Sequence, residues 1–66
     1  MIYIAIKDLL KAKNKSKYWF IMQMQGDYKA ITKLLENETT SIRFETLEKA
    51  CRILNCKPED IIKLRD

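Results

Sequence analysis

Residues 16–35 read SKYWFIMQMQGDYKAITKLL, and the way this stretch divides decides the fold. Ser16 is a residue type that caps helix N-termini, its hydroxyl accepting from a backbone N–H one turn on, and Phe20, Ile21 and Met24 then recur on one face. The pattern stops at Gln25 and Gly26, where a turn is expected. Asp27 starts it again, with a carboxylate at the positive end of a helix dipole and an apolar stripe of Ile31, Leu34 and Leu35 behind it. The result is two short amphipathic helices joined by a glycine-containing turn. Tyr28, Lys29, Thr32 and Lys33 lie on the outward face of the second, opposite Ile31 and Leu34.

Upstream, Ile6, Leu9, Leu10 and the stem of Lys13 predict a first helix from about Ile4 or Ile6 to Lys13, ending at Asn14, a residue that tolerates left-handed backbone. Residues 37–41 form a polar connection. Phe44, Leu47, Cys51 and Leu54 recur at helical spacing and mark a fourth helix, closed by Asn55 where glycine is common. Pro58 at a first helical position, followed by Glu59 and Asp60, opens a short fifth helix with Ile61, Ile62 and Leu64 inward. Met1 to Ala5, rich in Ile and Tyr, fits either an extended strand or the start of the first helix. The expectation is one all-α domain over residues 1–66, five helices around one core, with a helix-turn-helix unit at about 16–35. Tyr18 and Trp19, beside Phe20, leave the second helix apolar around more of its circumference than one buried face needs. Packing against Ile2 to Ile4 or the fifth helix would cover that surface, as would a homodimer contact.

A chain of 66 residues supports one small core and leaves no room for a separate ligand-sensing or catalytic domain. Its net charge of +4 is unevenly spread. Residues 1–33 carry seven lysines against Asp8 and Asp27, a local charge of +5, whereas the remainder carries six basic against seven acidic residues. This asymmetry favours a polyanionic partner, because neutralising phosphates releases counterions. The apolar run Met1 to Ile6 is too short to span a bilayer and has no leader pattern, so a cytoplasmic protein without membrane contact is expected. With two cysteines, Cys51 and Cys56, and no histidine, neither a zinc site nor a Cys-His nucleophile can form in one chain. Both thiols are read as small buried hydrophobes, not as a disulfide. No glycine-rich phosphate loop or convergent acid pair is present, so no enzyme, cofactor, metal or small-molecule ligand is expected.

Reading double-stranded DNA requires a helix whose outward side chains reach base edges, held by a second helix whose N-terminus rests on phosphate. Tyr28, Lys29, Thr32 and Lys33 are the candidate base readers: lysine donates to guanine, and threonine or a tyrosine ring contacts the thymine methyl. Lys15, Ser16 and Lys17 at the start of the second helix are candidates for the backbone, continuing an alternation that includes Lys11 and Lys13. Asp27 at the third helix's N-terminus and Arg43, beside Thr39, Thr40 and Ser41, join that backbone set.

These residues resemble the lambda-repressor-like helix-turn-helix family of Cro and phage repressors, in particular its small stand-alone members with Lys-Ser-Lys-Tyr-Trp as at Lys15 to Trp19. The likeness continues through Ile31 to Leu35, Ser41-Ile42-Arg43-Phe44, Thr46-Leu47-Glu48-Lys49 and Leu54 to Ile62, nearly the whole chain. It implies that the helix from Asp27 to Leu35 enters the major groove, that Tyr28, Lys29 and Lys33 face bases, that Lys17 and Arg43 approach phosphates, and that two copies bind paired half-sites. The chain departs from the family where the turn glycine would fall at Gln25, where Gly26 replaces a buried Val or Ile, and where Ile21 replaces a small residue at the helix crossing. Volume exchange is expected, with Ile21 and Met24 filling the space Gly26 vacates, while a non-glycine left-handed residue adds strain. Glu36 and Glu38 place acid in a connection the family often makes basic, which lowers phosphate attraction. The resulting expectation is a sequence-specific DNA-binding regulator of repressor or Cro type, acting as a homodimer. The alternative is a protein-interaction module on the same fold that uses the aromatic surface around Trp19.

Overall fold

A computed structural model describes residues 1–66. The element order is β1 (Ile2–Ile4), α1 (Ile6–Ala12), α2 (Lys17–Met24), α3 (Tyr28–Leu35), α4 (Phe44–Leu54), α5 (Pro58–Ile61) and β2 (Ile62–Leu64). The five helices surround one buried cluster that includes Ile6, Leu10, Phe20, Leu35, Leu54 and Ile61. Each of α2 and α3 contributes the three residues its periodicity predicts: Phe20, Ile21 and Met24 from one, Ile31, Leu34 and Leu35 from the other. Burying a side chain of this size contributes about 1.5–3 kcal/mol. Six such residues at one crossing therefore outweigh any single surface contact in fixing how the two helices meet. Cys51 is buried and Cys56 half-buried, both as free thiols.

The chain has one glycine, and that glycine is not where a left-handed residue is needed. Helices α1, α3 and α4 instead leave through Asn14, Asn37 and Asn55, all at positive φ. Each exit carries the two hydrogen bonds of a Schellman motif. At Asn55 the amide of Cys56 donates to Cys51 O at 3.0 Å and that of Asn55 to Arg52 O at 3.4 Å, and the same pattern recurs at Asn14 and Asn37. Carbonyls that would be orphaned at a helix end thus gain donors from the chain itself. Asn37 has a second task, since its side-chain amide donates to Ile4 O at 3.0 Å and its Oδ1 accepts from Ile4 N, docking β1 on the end of α3.

Two expectations are corrected at the edges of the core. Phe44, expected on the buried face of α4, is 89% exposed. As the first residue of α4 it precedes the point where the stripe of Leu47, Ala50, Cys51 and Leu54 meets the core, and Ala50 is buried in its stead. The fifth helix, expected to carry Ile62 and Leu64 inward, ends at Ile61. Ile62 to Leu64 form β2, antiparallel to β1 with Ile2 opposite Leu64 and Ile4 opposite Ile62, so Leu64 is 68% exposed. Pairing satisfies the backbone of both isoleucine-rich segments, which a fifth helical turn would leave undone for residues 2–4. The ambiguous N-terminus is accordingly a strand. Beyond the register, Met1 and Arg65 close the ladder: the terminal amine donates to Arg65 O at 2.6 Å and Arg65 N to Met1 O at 2.8 Å.

The double role of Asn37 separates it from its counterparts. Asn55→Gly removes from left-handed backbone a side chain that makes no hydrogen bond, so it is expected to keep or raise stability by up to ~1 kcal/mol. Asn37→Gly relieves the same strain but strips two hydrogen bonds from Ile4, and chemical denaturation should show a net loss of about 1 kcal/mol. Equal effects at the two sites would contradict the docking role.

Candidate nucleic-acid interface

The face that the sequence singles out is built from the N-termini of α2 and α3. Ser16 caps α2, its Oγ accepting from Trp19 N at 3.1 Å, and Asp27 caps α3 by accepting from Lys29 N at 2.9 Å. The cap fixes where α3 starts and therefore which side chains lead it. Lys29 and Lys33 are exposed without an ion-pair partner, Tyr28 is half-exposed, and Thr32 is half-buried with its Oγ1 shielded from water and lacking a hydrogen-bond partner. Lys29 and Lys33 stand on the side of α3 away from Ile31, Leu34 and Leu35, while Tyr28 and Thr32 flank that buried stripe. The protein itself thus leaves Tyr28, Lys29 and Lys33 uncovered and Thr32 partly covered.

Beside it, Lys7, Lys11, Lys15 and Lys17 line an open cleft with Asn14 and Ser16, at the positive end of α2. Lys15 also lies over the Trp19 ring, its Nζ 5.1 Å from the centroid. Trp19 is half-buried against the core, so it does not present a free ring. A second open groove runs from the turn to α4, with Gln25, Asp27 and Ala30 on one wall and Ser41, Arg43 and Lys49 on the other. The sequence-predicted residues are therefore distributed over one helix face and the two grooves that flank it. Lys15, Ser16 and Lys17 stand in one groove, Asp27 and Arg43 in the other.

Glu36, expected to oppose anions, forms an ion pair with Lys7 at 3.0 Å. The Lys7 ammonium, first by hydrogen bonding and then by charge, holds the Glu36 carboxyl below its ordinary value. Its negative charge is thereby matched within the protein, at the expense of one lysine of the cleft. Lys7 and Lys49 had no assigned part in the sequence reading. The Lys49 ammonium donates to Met24 O, placing a cation at the negative end of α2. Such pairings join residues 25 or more positions apart, and no local pattern announces them.

The turn departs from volume exchange as anticipated. Gln25 takes the left-handed conformation, φ 53° and ψ 36°, and its amide donates to Ile21 O at 3.3 Å. Ile21 and Met24 are buried, yet the side chain nearest Gly26 is that of Ile31, whose Cδ1 would lie 3.2 Å from a Cβ placed there. The space beside Gly26 is therefore closed from α3, because Ile31 already points toward the turn. A β-carbon at residue 26 would force Ile31 to give way.

A helix pair of this arrangement can be compared with known proteins. The family model of the Cro/C1-type HTH DNA-binding domain matches residues 5–66. The chain belongs to that family. A solved structure agrees: the crystal structure of a Bacteroides fragilis protein to which DNA binding is ascribed superposes with a TM-score of 0.81 at 25% identity, covering 96% of this chain and 100% of that one. Comparison with curated proteins gives no match. No helix of this Cro/C1-type domain is long and apolar enough to cross a membrane.

Left-handed backbone costs a residue with a β-carbon about 1–2 kcal/mol, part of which glycine recovers. Gln25→Gly is expected to raise the melting temperature of the domain by a few degrees, measured by circular dichroism, without altering its helix content. An unchanged or lower melting temperature would show that the Gln25 side chain contributes more than its backbone strain costs.

Proposed function

We propose that this Cro/C1-type domain is a sequence-specific regulator that binds double-stranded DNA in the manner of a repressor or Cro protein, with α3 in the major groove. The observation that carries this reading is the division of α3 into a buried apolar face and an exposed one bearing Tyr28, Lys29 and Lys33, with Thr32 half-buried at its edge. Lys29 and Lys33 act as hydrogen-bond donors to base edges, and the Tyr28 ring and Thr32 methyl as apolar contacts. Lys15, Ser16 and Lys17 hold backbone phosphate at the start of α2, and Arg43 does so from the loop before α4. Asp27 acts at the backbone indirectly, by aligning the first amides of α3. No step of this function requires a catalytic group or a cofactor. The partner-protein reading draws less support, since the ring of Trp19 packs on the core beneath Lys15.

Fluorescence anisotropy against salt tests the proposal. Affinity for a selected duplex should fall with a log–log slope of about −0.9 for each phosphate neutralised. Lys29→Ala and Lys33→Ala should each cost about 1–3 kcal/mol on that duplex and much less on an unrelated one. Absent or salt-insensitive binding to every duplex would transfer the function to a protein partner.

The same reading includes a homodimer on paired half-sites. Its support is the apolar surface left on the small sheet, where Ile2 and Leu64 sit opposite one another, 62% and 68% exposed. Light scattering should find a dimer that Leu64→Glu converts to a monomer, and a monomeric wild type at high concentration, with and without DNA, would remove the dimer from the proposal.

A further inference from the structure

We infer that Tyr18 is a positioning residue for base readout: its ring fixes the Tyr28 side chain at the head of α3 and thereby determines which base that side chain accepts. The inference rests on the DNA-reading role proposed above. The core makes no demand for an aromatic residue at this place in α2, because Phe20, Ile21 and Met24 already fill the buried face and Tyr18 is 60% exposed. The ring is nonetheless engaged. Its centroid lies 6.4 Å from that of Tyr28 with the planes tilted by 31°, inside the range of favourable aromatic pairs. Lys17 Nζ stands 5.9 Å from the centre of the same ring. One side chain therefore links the first cation of α2, aimed at the backbone, to the first residue of α3, aimed at the bases.

The consequence is preorganisation. An exposed tyrosine leading a helix samples more than one rotamer and must lose that freedom when it enters a groove. Tyr28, 49% exposed, has this freedom restricted before binding by Tyr18 on one side. Thr32 lies one turn along, its hydroxyl shielded from water and without a hydrogen-bond partner. The Tyr28 phenol responds to both residues. Tyr18, through a side-chain hydrogen bond and then through charge, raises its pKa above the ordinary tyrosine value, and Thr32 acts in the opposite sense. Held against the Tyr18 ring, Tyr28 offers the groove an apolar ring in a fixed place, which suits the C5-methyl of thymine. Released from Tyr18, the ring samples other rotamers and no longer meets one base in one place.

The test selects bound duplexes from a random pool with the wild type, Tyr18→Phe, Tyr18→Ala, Tyr28→Ala and the double alanine variant, then measures affinities at one salt concentration. Wild type is expected to select thymine at one position of the half-site. Tyr18→Ala should broaden that position alone and weaken binding roughly threefold to tenfold, the range of an aromatic pair, while costing nothing further once Tyr28 is alanine. Phenol titration by ultraviolet absorbance should show Tyr28 ionising at lower pH in Tyr18→Phe than in the wild type. Melting curves verify that the variants fold, as substitution at an exposed site permits. Equal losses from Tyr18→Ala in both backgrounds, an unchanged base preference, or a Tyr28 ionisation unmoved by Tyr18→Phe would overturn the positioning role and leave DNA reading intact. A wild type that selects no sequence would overturn both.

Discussion

The left-handed exit at Gln25 is the constraint on which the rest depends. A three-residue turn led by left-handed Gln25 reverses α2 into α3, and the six apolar side chains at their crossing meet only if that reversal is tight. Glycine is the ordinary means, because it has no β-carbon to clash. Here a glutamine accepts the strain, and neighbours offset it. Ile31 closes the space beside Gly26, and the Lys49 ammonium supplies a donor to the last carbonyl of α2. The turn is thus stabilised from α3 and α4, and the exposed side chains of α3 inherit their direction from it.

Much of the fold was legible because its signals are local. Helical periodicity and cap chemistry are written within a few residues of where they act, so Ser16, Asp27 and the stripes of α2 and α3 could be read directly. Asn14 and Asn55 could be read as exits for the same reason. What local pattern cannot show is competition from a distant segment. Ile62 to Leu64 would serve a helix or a strand equally well, and the choice is made by Ile2 to Ile4 at the other end of the chain. Phe44 fits the helical spacing of α4 and is displaced from the core only because α4 begins before the core does.

The site was legible as a set of residue types and illegible as a set of pairings. Lysine-rich composition and the polar face of α3 pointed to an anionic partner, but Lys7 with Glu36 and Tyr18 with Tyr28 arise from tertiary approach. These contacts alter the meaning of the composition. Glu36 is a smaller obstacle to phosphate than its charge suggests, since Lys7 matches it, and Lys7 is correspondingly less available. Formal charge is therefore a poor guide to the cationic surface this domain presents.

The small sheet ties residue 1 to residue 65 through reciprocal backbone bonds. Terminal segments ordinarily fray independently, but here detaching either one removes the other's ladder as well. On the ribosome β1 must wait for β2 to emerge before it finds its mate, and until then the hydrophobic interior lacks Ile61 and the segment that holds it. Completion of the domain is thereby deferred until β2 has been translated.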